Sequence, residues 1–287
     1  MRPVPLPLLI VTICLLVGGS AGSTDRAADP GGGSPWGTTP TSVETTASTA
    51  LPSTATGSTA LACETIDRLE AGRVERVELI EASGLAASRR HRDVLWAVND
   101  SGQRAGVFAL STTGDDLGFF ELVGDGAAVT TRDVEDLAIV DGSLYLADIG
   151  DNSRRRATVA VYVVSEPRPG NDGEVAVERV IEFRYPDGPT DAEALVVDPV
   201  AGELVILSKD LDDPTAPTRL YTVPLSAGTD GRVVEAVAAG SLDVAALTTS
   251  SNGFSVNTLL FPGAVTGADL GPDHDLVALR TYGSVWL

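Results

Sequence analysis

Apolar and polar positions alternate in short bursts along this chain, and the bursts repeat. Asp133-Val134-Glu135-Asp136-Leu137-Ala138-Ile139-Val140 passes through Asp141-Gly142 into Ser143-Leu144-Tyr145-Leu146-Ala147-Asp148. This spacing predicts two short strands joined by a tight turn, with acidic residues at both outer ends. Asp191 to Val197 followed by Glu203 to Asp210 has the same form, as does Ser83 to Ser88 followed by Val94 to Asp100. A fourth copy runs from Thr266-Gly267-Ala268-Asp269-Leu270 into Leu276 to Thr281. Each copy then adds an apolar strand, at Val107 to Leu110, Val159 to Val164, Leu220 to Leu225 and Val285 to Leu287.

Leu85, Leu137, Leu195 and Ala268 hold equivalent places in these copies. The steps between them are 52, 58 and 73 residues, and a unit of ~40–50 residues carrying several short strands predicts a propeller blade. Outer fourth strands are expected at Phe119 to Val123, Val180 to Tyr185 and Val233 to Ala238, and the longer last step is expected to be loop, chiefly Ala245 to Pro262. Arg73 to Ile80 alternates imperfectly and is expected to be a strand that completes the last blade and closes the ring. The predicted fold class is therefore all-β, a β-propeller of four-stranded blades, about four to six in number.

The start of the chain follows other rules. Arg2, the apolar run Leu6 to Val17 and the small residues Gly19-Ser20-Ala21 form a secretory signal, with cleavage expected after Ala21. Val11-Thr12-Ile13 before Cys14 lacks the small residue that lipidation requires. Residues 22–62 are rich in Ser, Thr, Pro and Gly, a composition that buries too little apolar surface to offset chain entropy. They are expected to be a disordered stalk, leaving residues 63–287 as the propeller domain. Cys63 is the one cysteine left after cleavage, so no internal disulfide is expected.

Composition narrows the partners. The net charge of −20 opposes nucleic acid and anionic membrane surfaces, which repel a polyanion. Lys209 is the only lysine of the chain. The signal predicts a protein outside the cytoplasm, secreted or in the cell envelope; the mature domain is expected not to insert into a membrane and to be a monomer. His91 and His274 lack metal-ligand spacing and a nucleophile partner, and zinc, P-loop and dinucleotide motifs are absent.

The candidate chemistry lies at the repeated positions. In a propeller, equivalent positions of successive blades converge near the axis. Glu135 and Glu193 share one such position, with Ser83 and Thr266 in the other copies; Asn99, Asp148, Lys209 and Arg280 mark ends of second strands. Asp100, Asp151, Asn152 and Asp210 lie close by in sequence. Oxygen ligands gathered from several blades suit Ca²⁺, with Glu135, Glu193, Asp148 and Asp151 as candidate ligands. Asn99, Asp100, Asn152, Lys209 and Arg155 are the candidate contacts to a bound small molecule or protein. A structural reading stands beside this one. Glu135 and Glu193 can clasp backbone N–H groups of the next blade, and Asp148 and Asn152 can build their turn. Arg154-Arg155-Arg156 is the one basic cluster, suited either to a phosphate or carboxylate or to a solvated loop.

Ser83-Gly84-Leu85, Asn99-Asp100-Ser101-Gly102, Glu135-Asp136-Leu137-Ala138, Ala147 to Asn152, Glu193-Ala194-Leu195 and Leu207-Ser208-Lys209 resemble exported bacterial propeller proteins related to the "esterase-like activity of phytase" and TolB-like groups. The resemblance covers residues from about 74 to 287 and implies the propeller fold. It also implies one further repeat beyond Arg280-Thr281-Tyr282, whereas the chain stops at Leu287, so an incomplete chain or an unusual ring closure is expected. Two functions follow. One is an exported propeller that binds a ligand or partner, with Ca²⁺ on its axis. The other is a metal-dependent hydrolase of phosphoesters or other esters, with Glu135, Glu193 and Asp148 on the metal and Lys209 or Arg155 on the substrate. The scarcity of basic residues favours binding.

Overall fold

The computed structural model describes residues 71–102, 104–213, 216–244 and 263–286. The signal peptide, the stalk, Cys63 and the whole loop expected at Ala245 to Pro262 lie outside them. Among the described residues, no helix is long and apolar enough to cross a membrane.

Among the described residues the elements are strands, and they group as the repeats predict. The first sheet holds β1 (Ala82–Ala87), β2 (Val94–Asn99), β3 (Gly106–Ser111) and β4 (Asp116–Gly124), with the two-residue β5 (Ala127–Ala128) paired to β4. The second holds β6 (Val134–Val140), β7 (Ser143–Asp148), β8 (Val159–Ser165) and β9 (Gly173–Arg184). A short β13 (Val234–Glu235) precedes the last strand of the third sheet, which runs β10 (Ala192–Asp198), β11 (Glu203–Ser208), β12 (Thr218–Pro224), β14 (Val237–Leu242). The fourth has β15 (Val265–Leu270), β16 (Val277–Thr281) and β17 (Val285–Trp286). Each is an antiparallel meander, the form that short connections dictate. The Asp141-Gly142 turn between β6 and β7 has φ of 51° and 75°, the positive pair that a two-residue hairpin needs.

Registers bear out the repeat. Leu85, Leu137, Leu195 and Ala268 pair with Ala97, Leu146, Ile206 and Leu279 at like places in their sheets. The first strands lie innermost: β1 packs on β6, β6 on β10 and β10 on β15, and β15 also touches β6 and β1. The sheets stack face to face around these strands, which is propeller architecture. Both faces of an inner strand are then covered, so β6 is buried along its whole length and its apolar residues run on without alternation. Leu137, Leu146 and Trp96 fill the space between the first two sheets; Leu195, Phe183 and Tyr221 fill that between the second and third. Burying each such side chain contributes roughly 1.5–3 kcal/mol.

Two features depart from the sequence expectation. Residues 73–80 form no strand. They cover the free face of the first sheet, where Leu79 (7% exposed) joins Leu95, Phe108 and Phe119, while Val77 stays 81% exposed. Polar groups supply the grip: Glu75 N donates to Gly114 O at 3.0 Å, and Arg76 bonds Asp116 and Asp172 at 3.0 and 2.8 Å. The alternation there marks one docked leucine and one anchored arginine. The second departure is β9, whose twelve residues outrun its partner β8. Its start pairs in parallel with β4 (Phe120 with Gly173), and its end pairs with β13 (Val234 with Phe183), so β9 links three sheets at the rim. The outer strand of the third sheet accordingly begins at Val237, later than expected, because Val234 and Glu235 form β13, which pairs with β9.

Candidate metal and ligand site

The inner strands share one irregularity. Register slips between Ala82 and Leu85, Val134 and Asp136, Ala192 and Ala194, and Val265 and Gly267. The extra residues are Ser83-Gly84, Glu135, Glu193 and Thr266. A bulge re-aims a side chain out of the pleat. The repeated polar position of the sequence is thus the bulge of each blade, on the same end of every inner strand.

Around Glu135 this gathers carboxylates. Asp100 follows β2 and is brought in by backbone bonds: its N–H donates to Glu81 O at 3.0 Å, its carbonyl accepts from Val134 N at 3.1 Å, and Ser101 bridges Asp133. Carboxylate oxygens of Asp100, Asp133 and Glu135 lie within 4.8 Å of one another. Among the described residues no basic side chain forms an ion pair with any of the three. Oδ1 of Asp100 is buried without a hydrogen-bond partner. Ser83 Oγ donates to the Glu135 carbonyl at 2.7 Å and to its Oε2 at 3.2 Å. Gly150 backs the cluster: a methyl group there would lie 2.4 Å from Glu135 Oε1 and 2.5 Å from Asp133 Oδ2.

Electrostatics follow from this crowding. Burial, then the charges of Asp100 and Asp133, push the Glu135 carboxyl up to about 8. Burial, then the Asp100 carboxyl, push Asp133 up to about 7. Burial raises Asp191 as well, and it raises the Tyr282 phenol with help from Glu135 and Asp191, so the fourth sheet reaches the same neighbourhood.

The other expected residues divide by role. Lys209 is buried and pairs with Glu193, with Asp191 at 3.8 Å. Asp191 Oδ1 accepts from Asp151 N at 2.9 Å. Asp148 accepts from the N–H groups of Arg132 and Asp133 at 3.1 and 3.0 Å and pairs with Arg156 at 2.8 Å, which is turn construction. Asp151 accepts from Arg156 N at 2.7 Å. Asp210 pairs with Arg154 at 2.7 Å. Asn99 bonds Glu81 N and Glu78 O, so it holds the N-terminal segment. Asn152 and Arg155 are exposed. The structure therefore groups Glu135 with Asp100, and Glu193 with Lys209, while Asp148 and Asp151 serve the loop beside them.

Two residues escaped the sequence reading. Asp133 carried a signal: Asp133-x-Glu135 recurs as Asp191-x-Glu193 at the next strand start. Asp136 is the clasp that the glutamates were expected to provide. Its fully buried carboxylate accepts from Leu137 N at 2.9 Å, Leu195 N at 2.8 Å and Ala268 N at 3.2 Å, joining three inner strands. Its sequence signal is a carboxylate at a place held by Gly84, Ala194 and Gly267 in the other copies.

No family model matches the chain, and no curated protein is similar to it. Among solved structures, "Structure of Dos1 propeller" is similar at 12% identity with a TM-score of 0.26. The similarity covers 72% of this chain and 56% of that one, so the chain spans just over half the length of that propeller. The fold assignment rests on the strand order and registers of this chain itself.

Proposed function

We propose that this chain is a ligand-binding propeller whose axis face is organised by a hard divalent cation, Ca²⁺ in the first instance. One observation carries the reading: three carboxylates from two sheets crowd within 4.8 Å of one another, and among the described residues none of them is in an ion pair. Like charges that close are costly unless protons or a cation neutralise them. Oxygen-only ligands suit Ca²⁺, whose remaining positions are filled by carbonyls, water or the ligand itself. The signal-like start and the stalk composition support an exported setting, as does the resemblance to phytase-like propellers. Modules outside cells work at Ca²⁺ affinities of roughly 10⁻⁴–10⁻³ M. The hydrolase reading draws less support, because Lys209, one of its two expected contacts to an anionic ester, is already paired with Glu193, which leaves Arg155 alone for that task.

Calorimetric titration of chelator-treated protein with CaCl₂ tests this. Saturable binding is expected, weakened at least tenfold by Glu135→Gln and by Asp100→Asn. No heat at millimolar Ca²⁺, or equal binding in both variants, would remove the proposal. Gly150→Ala provides a steric check. Its methyl group would push both Glu135 and Asp133 aside. Ca²⁺-dependent thermal stabilisation is expected to vanish, while the far-ultraviolet spectrum of the apo protein stays that of the parent.

A further inference from the structure

A groove of about 410 Å³ opens beside the second sheet, and Arg132, Arg155, Arg156, Thr158, Tyr162 and Glu182 contribute to its wall. Its volume falls in the range of small-molecule sites, ~300–1,000 Å³. Its charge opposes that of the whole chain, which is −20. The three guanidinium groups face two lining carboxylates, Asp148 and Glu182. Asp148 is committed to Arg156 at 2.8 Å, and Glu182 accepts from Thr158 Oγ1 at 2.6 Å. Arg132 and Arg155 are in no ion pair among the described residues. The groove thus has room for about one negative charge; a dianion would exceed it.

Arg156 is held ready. Its side chain is 10% exposed, its Nη1 donates to Gly150 O at 2.7 Å, and its backbone N is fixed by Asp151. A guanidinium fixed in this way loses little freedom on receiving an oxyanion. The rest of the wall suits a hydroxylated body: Thr130 and Thr158 offer hydroxyls, and Tyr162, Val159 and Val180 offer apolar surface. We infer that this groove binds a small hydroxylated carboxylate, the class of the sugar acids, with its carboxylate at Arg132, Arg155 and Arg156.

The test is calorimetry on the full chain with D-glucuronate, with D-glucose and inorganic phosphate as comparisons at matched ionic strength. Saturable glucuronate binding is expected, with none for glucose and at least tenfold weaker binding for phosphate. Arg132→Ala with Arg155→Ala changes two exposed side chains and is expected to weaken glucuronate at least tenfold while the melting temperature holds. Glu135→Gln is expected to leave glucuronate binding unchanged, which separates this site from the carboxylate cluster. Absence of saturable binding, an unaffected arginine double variant, or phosphate binding as tightly as glucuronate would each overturn the inference.

Discussion

Asp136→Ala is expected to lower the melting temperature by about 10 °C. The carboxylate accepts three backbone N–H bonds, one from its own strand and one from each of two other inner strands. Alanine would leave those donors buried without an acceptor at the point where three sheets meet. An unsatisfied buried donor costs roughly 1–3 kcal/mol, and relief of the cost of burying the carboxylate offsets part of the sum. A net loss of about 4 kcal/mol follows, and each kcal/mol shifts the melting temperature by ~2–4 °C in a domain of this size. Asp136→Asn retains one acceptor oxygen but turns an amide donor toward N–H groups, so it is expected to destabilise as well. Asp212→Ala, at an exposed loop carboxylate, is the control and should stay within ~0.5 kcal/mol of the parent. A melting temperature for Asp136→Ala within 2 °C of the parent would show that the hub is held by apolar packing alone.

That residue also shows where the sequence stops being readable. Strand positions, the Asp141-Gly142 turn and the equivalence of Leu85, Leu137, Leu195 and Ala268 were legible because they obey local periods and repeat. The bulge at Glu135 and Glu193 could be located as a repeated polar place, but not as a bulge, since a slip of register has no local signature. Asp136 serves three strands of which two lie far away in sequence, and only packing reveals that. The same holds for Asp100 and Asp133, which belong to different repeats and are joined by the Ser101–Asp133 bridge. Residues 73–80 misled for the opposite reason. Their alternation is local, but their partners, Gly114, Asp116 and Asp172, draw the segment over a sheet face and away from an edge.

In chelator-treated protein, stability is expected to fall steadily between about pH 4 and pH 8. The folded carboxyls of Asp133, Glu135 and Asp136 sit at about 7, about 8 and about 7, against ordinary values of 3.8, 4.5 and 3.8 once unfolded. Within that window the folded chain holds more protons than the unfolded one, and stability then decreases with rising pH. The contribution of these protonated groups is complete below the unfolded values and lost on passing the folded ones. Carboxylates held low by arginine, such as Glu121 and Asp172, act in the other direction, and only as pH drops below about 4. A cation takes the place of the protons, so CaCl₂ should stabilise more at pH 8 than at pH 6. At a hundred times the dissociation constant the gain is about 2.7 kcal/mol, or ~5–10 °C. Asp133→Asn with Glu135→Gln should flatten the pH profile and abolish the difference between the two calcium curves, leaving the smaller slope that Asp136, Asp191 and Asp269, all raised by burial, contribute. Melting curves at pH 5, 6, 7 and 8, with CaCl₂ or with chelator, decide the matter. A parent profile as flat as that of the double variant would mean that these carboxyls are neither crowded nor desolvated enough to retain protons. The same crowding is the reason to expect a cation, so the two readings stand or fall on one set of curves.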